Sequence, residues 1–243
     1  MKTTRARCAL WGAGLLLALA GCATHTASSP PAGHYTAGRA QLVLPAGAWS
    51  DLGAADDAWA PLPSSAAVAL QSRALVLKGA KQEPLAVVLV RTNASNLFWR
   101  PVSWGLSCPR ELDVLMFDDA AGSPDRMDCL RLRRNAQAQQ WLKRTKPETQ
   151  AWLERRQQLP TLPYSHLSYR FATVDGGMVE LQILADQRLL QAQKSRQGRP
   201  LRDWAQAVAS AARDSLSSMG GELVLPAFPG EPDAARPAAQ PLG

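Results

Sequence analysis

Apolar and polar residues alternate along several segments of this chain with the period of two that is typical of half-buried β-strands. Residues 39–45 (RAQLVLP) follow this pattern, as do the two halves of 166–185 (HLSYRFATV and MVELQILA) on either side of the Gly-containing turn DGG. Residues 84–92 (PLAVVLVRT) are continuously apolar and rich in β-branched side chains, as in a buried central strand. Residues 65–79 fit either one long strand or two short ones.

Shorter patterns extend this predicted sheet. Residues 96–104 (NLFWRPVSW) predict an aromatic strand interrupted by Pro101. Residues 113–117 and 128–133 predict two strands joined by the turn DDAAGSPD. The string LVLPA occurs at 42–46 and again at 223–227, and we expect each copy to end a strand at its proline.

Two segments have helical patterns instead. Residues 135–159 have a helical composition, but Pro147 is unfavourable inside a helix, and Thr145 and Glu148 have capping-box spacing. They therefore predict two helices that meet near Thr145. Residues 201–221 predict a C-terminal amphipathic helix that stops at Gly220 and Gly221. Its predicted apolar side comprises Trp204, Val208, Ala211, Ala212, Leu216 and Met219. Hairpins with a few separate helices indicate the α+β class, with a largely antiparallel sheet, a broken basic helix pair and this C-terminal helix in one domain.

The first residues have a different pattern. Lys2, Arg5 and Arg7 precede an apolar run from 8 to 20, which is too short for a membrane-spanning helix and ends in Leu-Ala-Gly-Cys at 19–22. Residues 1–22 thus resemble the signal peptide and lipobox of bacterial lipoproteins; the alternative is an ordinary signal peptide cut elsewhere, or a buried helix.

The resemblance implies where in the cell the protein is located. Residues 1–21 would be removed, and Cys22 would become the acylated N-terminus that attaches the chain to a membrane. Ala23 after the cysteine, rather than Asp, fits sorting to the outer membrane with the protein on the periplasmic side; anchoring in the inner membrane is the alternative.

Composition divides the rest of the chain. Residues 22–34 are small and polar, and they predict a flexible tether behind the lipidated cysteine. Residues 229–243 contain four prolines and little to bury, and they predict a disordered tail. Residues 35–228 are enough for one globular domain with a sizeable core, and their sequence contains no further run of membrane-spanning length.

Cys108 and Cys129 are the thiols that remain in the predicted domain, and three interpretations compete for them. A zinc site needs more ligands than the sparse histidines His25, His34 and His166 offer. A redox pair is usually C-x-x-C, which this pair is not. In an oxidising periplasm a structural disulfide is favoured.

Charge is unevenly distributed around this pair. Residues 108–129 carry six acids and two arginines, whereas residues 130–158 carry eight bases and two acids. The eight bases are Arg131, Arg133, Arg134, Lys143, Arg144, Lys146, Arg155 and Arg156. They indicate either a solvated face, neutralised in part by the acidic loop, or a contact surface for anionic lipid, lipopolysaccharide or an envelope protein. Nucleic acid is an improbable partner in the periplasm.

Motifs of catalysis are weak. The chain has no G-x-S-x-G or S-x-x-K motif, and His166 is the one credible base, which in a strand is more often structural. The acidic turn lacks the ligand spacing of a helix-loop-helix calcium site, so no metal or cofactor is predicted.

Three functions are compatible with these patterns. The favoured one is a lipid-anchored, periplasm-facing, non-catalytic binding or assembly module. The alternatives are a carrier of a small ligand or lipid in an apolar cavity between sheet and helices, and an envelope hydrolase without a recognisable motif.

Overall fold

The computed structural model describes residues 34–60, 66–97, 101–105, 108, 110, 112, 114–145, 147–159, 164–190 and 199–230. These contain ten strands: β1 His34–Ala37, β2 Ala40–Val43, β3 Ala48–Trp59, β4 Val68–Lys78, β5 Pro84–Asn93, β6 Leu115–Asp118, β7 Met127–Ala136, β8 Tyr164–Ala172, β9 Met178–Asp186 and β10 Glu222–Val224. Four helices accompany them: α1 Ala138–Thr145, α2 Pro147–Arg155, α3 Gln187–Leu190 and α4 Arg199–Ser217.

Seven of these strands form one antiparallel sheet, in the order β3-β4-β5-β9-β8-β7-β6. A second sheet has the order β1-β2-β10, in which β10 runs parallel to β2 and pairs Leu223 with Leu42. The two copies of LVLPA thus lie side by side. The sequence-based prediction of a sheet-rich protein with an antiparallel sheet and a few helices is confirmed.

The large sheet has two ends, named here by His34 and Arg39. At the His34 end, Lys78 pairs with Pro84, and Tyr164 pairs with Asp186. His34 pairs with Val43, the last residue of β2, and β3 begins a few residues later, opposite Lys78. At the Arg39 end lie the turn between β1 and β2, the β8–β9 turn at 173–177, and the C-terminus of α4. Arg39 N donates to Asn93 O there (2.9 Å).

The first face of the large sheet is buried under α4 and the small sheet. Alternate residues of β8 and β9, such as Leu167, Tyr169, Leu181 and Ile183, point into one large hydrophobic cluster. Helix α4 buries a stripe against them: Leu201, Trp204, Ala205, Val208, Ala209 and Ala212. This stripe has the helical period, so burial of one side of α4 accounts for the amphipathic sequence.

The second face carries two smaller hydrophobic clusters. At the His34 end, α1 and α2 insert Leu142 and Leu153 between Val76, Val87 and Leu184. At the Arg39 end, a separate cluster packs on the sheet, and its members are Val68, Leu70, Val102, Trp104, Cys108, Met127, Cys129, Ala172 and Met178. The sheet between the two clusters is polar.

Helices occupy the two regions where the sequence predicted them. Pro147 is the first residue of α2, where its missing N–H costs no hydrogen bond. Gly221 follows α4 with φ +64°, and a Cβ there would lie 2.2 Å from the carbonyl oxygen of Arg39. A glycine is therefore required here, in the connection between the end of α4 at Ser217 and β10, because only glycine fits both the close approach and the backbone conformation.

Some expectations were wrong. The described parts of 96–104 contain no strand, and 94–96 form bends instead. Strand β3 was not predicted. Of the two alternatives for residues 65–79, the structure has the single strand, β4 Val68–Lys78. Met219, expected on the apolar side of the last helix, lies beyond it and is 96% exposed. Among the described residues, no helix combines the length and apolar character needed to cross a membrane.

Candidate functional site

A polar strip separates the two clusters on the second face. Side chains alternate between faces along a strand, so every second residue of β8 and β9 contributes to it. These residues are His166, Ser168 and Arg170 from β8, and Glu180 and Gln182 from β9. All but Arg170 are buried, although they are polar. A buried polar group needs hydrogen-bond partners, and this strip provides them.

Gln182 lies at the centre of a hydrogen-bond chain that has His166 at one end. Gln182 Nε2 donates to Ser168 Oγ (2.9 Å) and to Glu180 Oε1 (2.7 Å). The Gln182 Oε1 atom is 2.7 Å from His166 Nε2 and can only accept, because an amide oxygen carries no hydrogen. Nε2 of His166 therefore carries the proton.

The surroundings keep His166 neutral. Burial is the main cause that lowers the pKa of His166 to about 4; the charges of Arg133 and Arg131 act in the same direction, while the hydrogen bond that His166 donates to Gln182 opposes them. The ring of Trp141 from α1 covers it, with 3.8 Å between the ring centroids. With Nε2 donating to an amide oxygen and the ring covered, this histidine holds α1 to the sheet.

Glu180 joins two arginines from neighbouring strands. It pairs across the sheet with Arg91 of β5 and Arg170 of β8, and its carboxylate accepts hydrogen bonds from both guanidinium groups. Arg91 also donates to Asp57 of β3 (2.9 Å). The ring of Trp59 lies under both guanidinium groups, at 5.6 and 5.8 Å. This ladder ties four strands together.

Acidic residues between 108 and 129 form ion pairs on the first face of the large sheet, opposite the polar strip. Arg213 of α4 contacts Asp128 (3.1 Å) and Asp119 (3.7 Å), and Tyr169 donates to Asp128 (2.8 Å). Burial raises the pKa of Tyr169, and the Asp128 carboxylate raises it further. These two acids therefore pair with Arg213 of α4. Glu111 and Asp113 lie outside the described residues.

A disulfide joins Cys108 to Cys129, with 5.6 Å between the Cα atoms. Both cysteines are buried, in the cluster that contains Trp104. The disulfide predicted from the sequence is thus present, and it holds Cys108 against β7.

The predicted basic residues fall into two groups. Arg131 and Arg133 are half-buried on β7, and their charges lower the pKa of His166. Arg134 beside them is exposed. Lys143 and Arg144 of α1, with Arg155 and Arg156 at the end of α2, are exposed on the helix pair. Arg156 also stacks on Trp152, 4.9 Å from its ring centroid. Lys146 lies outside the described residues, as does the predicted lipidation site Cys22.

An open cavity of about 470 Å³ lies at the Arg39 end. Four separate segments line it: the β1–β2 turn, the loop after β5, the β8–β9 turn and the end of α4. The lining residues are Arg39, Asn96, Leu97, Phe171, Thr173, Asp175, Gly177, Leu216, Ser217, Ser218 and Met219. Leu97 is 87% exposed and Met219 is 96% exposed, so two large apolar side chains meet solvent beside the cavity.

Arg39 fixes the geometry of this cavity. Its guanidinium donates to Asn96 Oδ1 (2.7 Å) and to the carbonyl oxygens of Leu216 (3.0 Å) and Ser218 (2.9 Å). It thus binds the C-terminal carbonyls of α4, which carry partial negative charge. Three of the four lining segments are held together by this one side chain.

The sequence did not predict the cavity, because its residues come from positions as distant as 39 and 219. The one local signal was Met219, an apolar residue directly before a helix-ending glycine pair. Within the described residues, no group of three or more His, Cys, Asp or Glu side chains could hold a metal ion.

Comparison of the chain with protein-family models, with curated proteins and with solved structures finds no match.

Proposed function

We propose that this chain is a lipid-anchored envelope lipoprotein, with Cys22 acylated and residues 1–21 removed, which faces the periplasm from the outer membrane. The basic signal segment and the Leu-Ala-Gly-Cys string support the anchor. The Cys108–Cys129 disulfide supports an oxidising compartment, where such bonds persist. We further propose that residues 35–228 form one α+β domain on a tether.

The domain acts by binding rather than by catalysis. One observation carries this proposal, the open cavity at the Arg39 end with Leu97 and Met219 exposed beside it. Exposed large apolar side chains beside a concave surface are typical of contact sites. The hydrogen bonds of Arg39 join three of the segments that line the cavity, and a preformed cavity lowers the cost of binding.

Site-specific photocrosslinking in cells tests this role. A photoreactive amino acid at position 97 or 219 should give a discrete crosslinked product of one mass. Leu112 provides a matched control, because it is another apolar residue, 89% exposed, that does not line the cavity. Equal products at all three positions, or none at 97 and 219, would contradict a binding role for the cavity.

The cavity also favours a second candidate, a carrier of a small apolar ligand. Phe171, Leu216, Leu97 and Met219 give it an apolar wall. A carrier should retain a lipid-sized adduct in native mass spectrometry of the purified chain, and Met219→Glu should release it. A ligand-free spectrum together with a protein crosslink at 219 would favour the assembly module instead.

A further inference from the structure

The helix pair α1–α2 and the start of β1 share one end of the large sheet. Leu142 and Leu153 pack on Val76 and Val87, close to the Lys78–Pro84 pair that marks this end. His34 lies at the same end, because its partner Val43 leads within a few residues into β3, opposite Lys78. The residues that precede His34 therefore join the domain at the end of the large sheet that α1 and α2 cover.

Exposed charge differs between the two ends. On the helix pair, Lys143, Arg144, Arg155 and Arg156 are exposed, and the exposed acid with a described side chain is Glu154, which Gln150 binds at 2.9 Å. Lys81 is exposed in the β4–β5 turn at the same end. At the Arg39 end, the β6–β7 turn exposes two acids, Asp119 and Asp125, and one base, Arg126. Positive charge thus collects at the end where the chain enters.

The length of chain before His34 limits how far a lipid at Cys22 can be. Residues 23–33 separate the two, and a fully extended chain spans roughly 3.3–3.6 Å per residue. Cys22 therefore lies no more than roughly 40 Å from His34. A bilayer that holds Cys22 is within reach of the helix pair, since both belong to the same end of the sheet.

We propose that the exposed cations of α1 and α2 rest on anionic phospholipid headgroups, so that the Arg39 end and its cavity point away from the bilayer. This inference rests on the proposed lipid anchor. Each lysine or arginine near an anionic surface adds a modest attraction, enough for about fivefold in affinity. The tether raises the local concentration of headgroups, so a weak contact is sufficient to orient the domain.

Vesicle co-sedimentation tests the surface without the anchor. A chain that starts at Ala23 keeps every described strand and helix and the disulfide. It should sediment with vesicles of phosphatidylcholine mixed with phosphatidylglycerol, and not with phosphatidylcholine alone. Binding should vanish near 1 M salt, where the screening length falls to about 3 Å. Free inorganic phosphate at matched ionic strength should not compete, because the contact needs a surface of headgroups.

Matched substitutions locate the contact. Arg144→Gln and Arg126→Gln each remove one exposed arginine, the first from α1 and the second from the β6–β7 turn at the Arg39 end. Arg144→Gln should weaken binding to the mixed vesicles by about fivefold, and Arg126→Gln should leave it unchanged. The triple variant Lys143→Gln, Arg144→Gln, Arg155→Gln should abolish binding while its circular dichroism stays that of the parent.

Absence of salt-sensitive binding, or equal weakening by Arg144→Gln and Arg126→Gln, would overturn the inference. Binding of lipopolysaccharide micelles in place of phospholipid vesicles would also overturn it, in favour of a different partner. Acylation of Cys22 is measured separately by intact mass, so loss of the anchor and loss of this surface are distinguishable.

Discussion

The indole ring of Trp141 covers the imidazole of His166, with 3.8 Å between the ring centroids. One residue belongs to α1 and the other to the centre of the large sheet, so this contact attaches the helix pair to the polar strip. Since α1 carries Lys143 and Arg144, the contact also positions the exposed cations.

Stability should depend on the protonation of His166. Its folded pKa of about 4 lies below the ordinary value of 6.5, so the unfolded chain binds the proton more tightly. The neutral histidine contributes stability that is fully present above pH 6.5 and is lost as pH falls towards 4. Between about pH 7.5 and about pH 5 the loss should be on the order of 2 kcal/mol.

Urea unfolding of the parent and of His166→Gln at both pH values isolates this effect. Carboxylates titrate in both proteins, so their contribution cancels in the difference. The parent should lose more stability than His166→Gln on acidification. Identical losses would show that His166 is not held neutral by its surroundings.

Glu180 should contribute more to stability than Asp57, although both accept from Arg91. Glu180 is almost fully buried and sits between two arginines, whereas Asp57 is 35% exposed. Glu180→Gln leaves two guanidinium groups facing each other and should cost about 3 kcal/mol of unfolding free energy. Asp57→Asn should cost less than about 1 kcal/mol. Equal costs, measured by chemical unfolding, would refute a central role for Glu180.

The disulfide should stabilise the folded chain chiefly by constraining the unfolded one. Closing the loop between Cys108 and Cys129 is worth about 3 kcal/mol in the entropic estimate. A Cys108→Ser, Cys129→Ser chain should therefore unfold at lower urea concentration. Intact mass should rise by two hydrogens on reduction of the parent, and alkylation of both thiols without reductant would be incompatible with the bond.

Most strands of the large sheet could be predicted from the sequence, because their apolar residues follow clear patterns. β5 is a continuous apolar run, and β8 and β9 alternate on either side of a short turn. β3 was missed because its sequence, AWSDLGAADDAW, combines acids, glycine and alanines that have low strand propensity. It is an edge strand with an irregularity between Asp51 and Gly53, and its pairing with β4 overrides propensity.

The polar strip and the cavity could not be derived from local patterns. Arg91, Arg170 and Glu180 each occupy an alternating position, but their meeting depends on the register in which β5 pairs with the β8–β9 hairpin, which lies far along the chain. The cavity depends on where α4 ends relative to the β1–β2 turn, which Arg39 fixes through backbone carbonyls rather than through a recognisable motif.

The proposed anchor requires that Cys22 is acylated, and intact mass spectrometry of the full-length chain measures this acylation. The gene product is expressed in a Gram-negative host and purified from detergent-extracted membranes. The expected mass is that of residues 22–243 plus a diacylglyceryl group and an N-linked acyl chain, and Cys22→Ala should remove both this added mass and the detergent partitioning. An unmodified Cys22, or a Cys22→Ala chain that stays equally bound to membranes, would contradict the account.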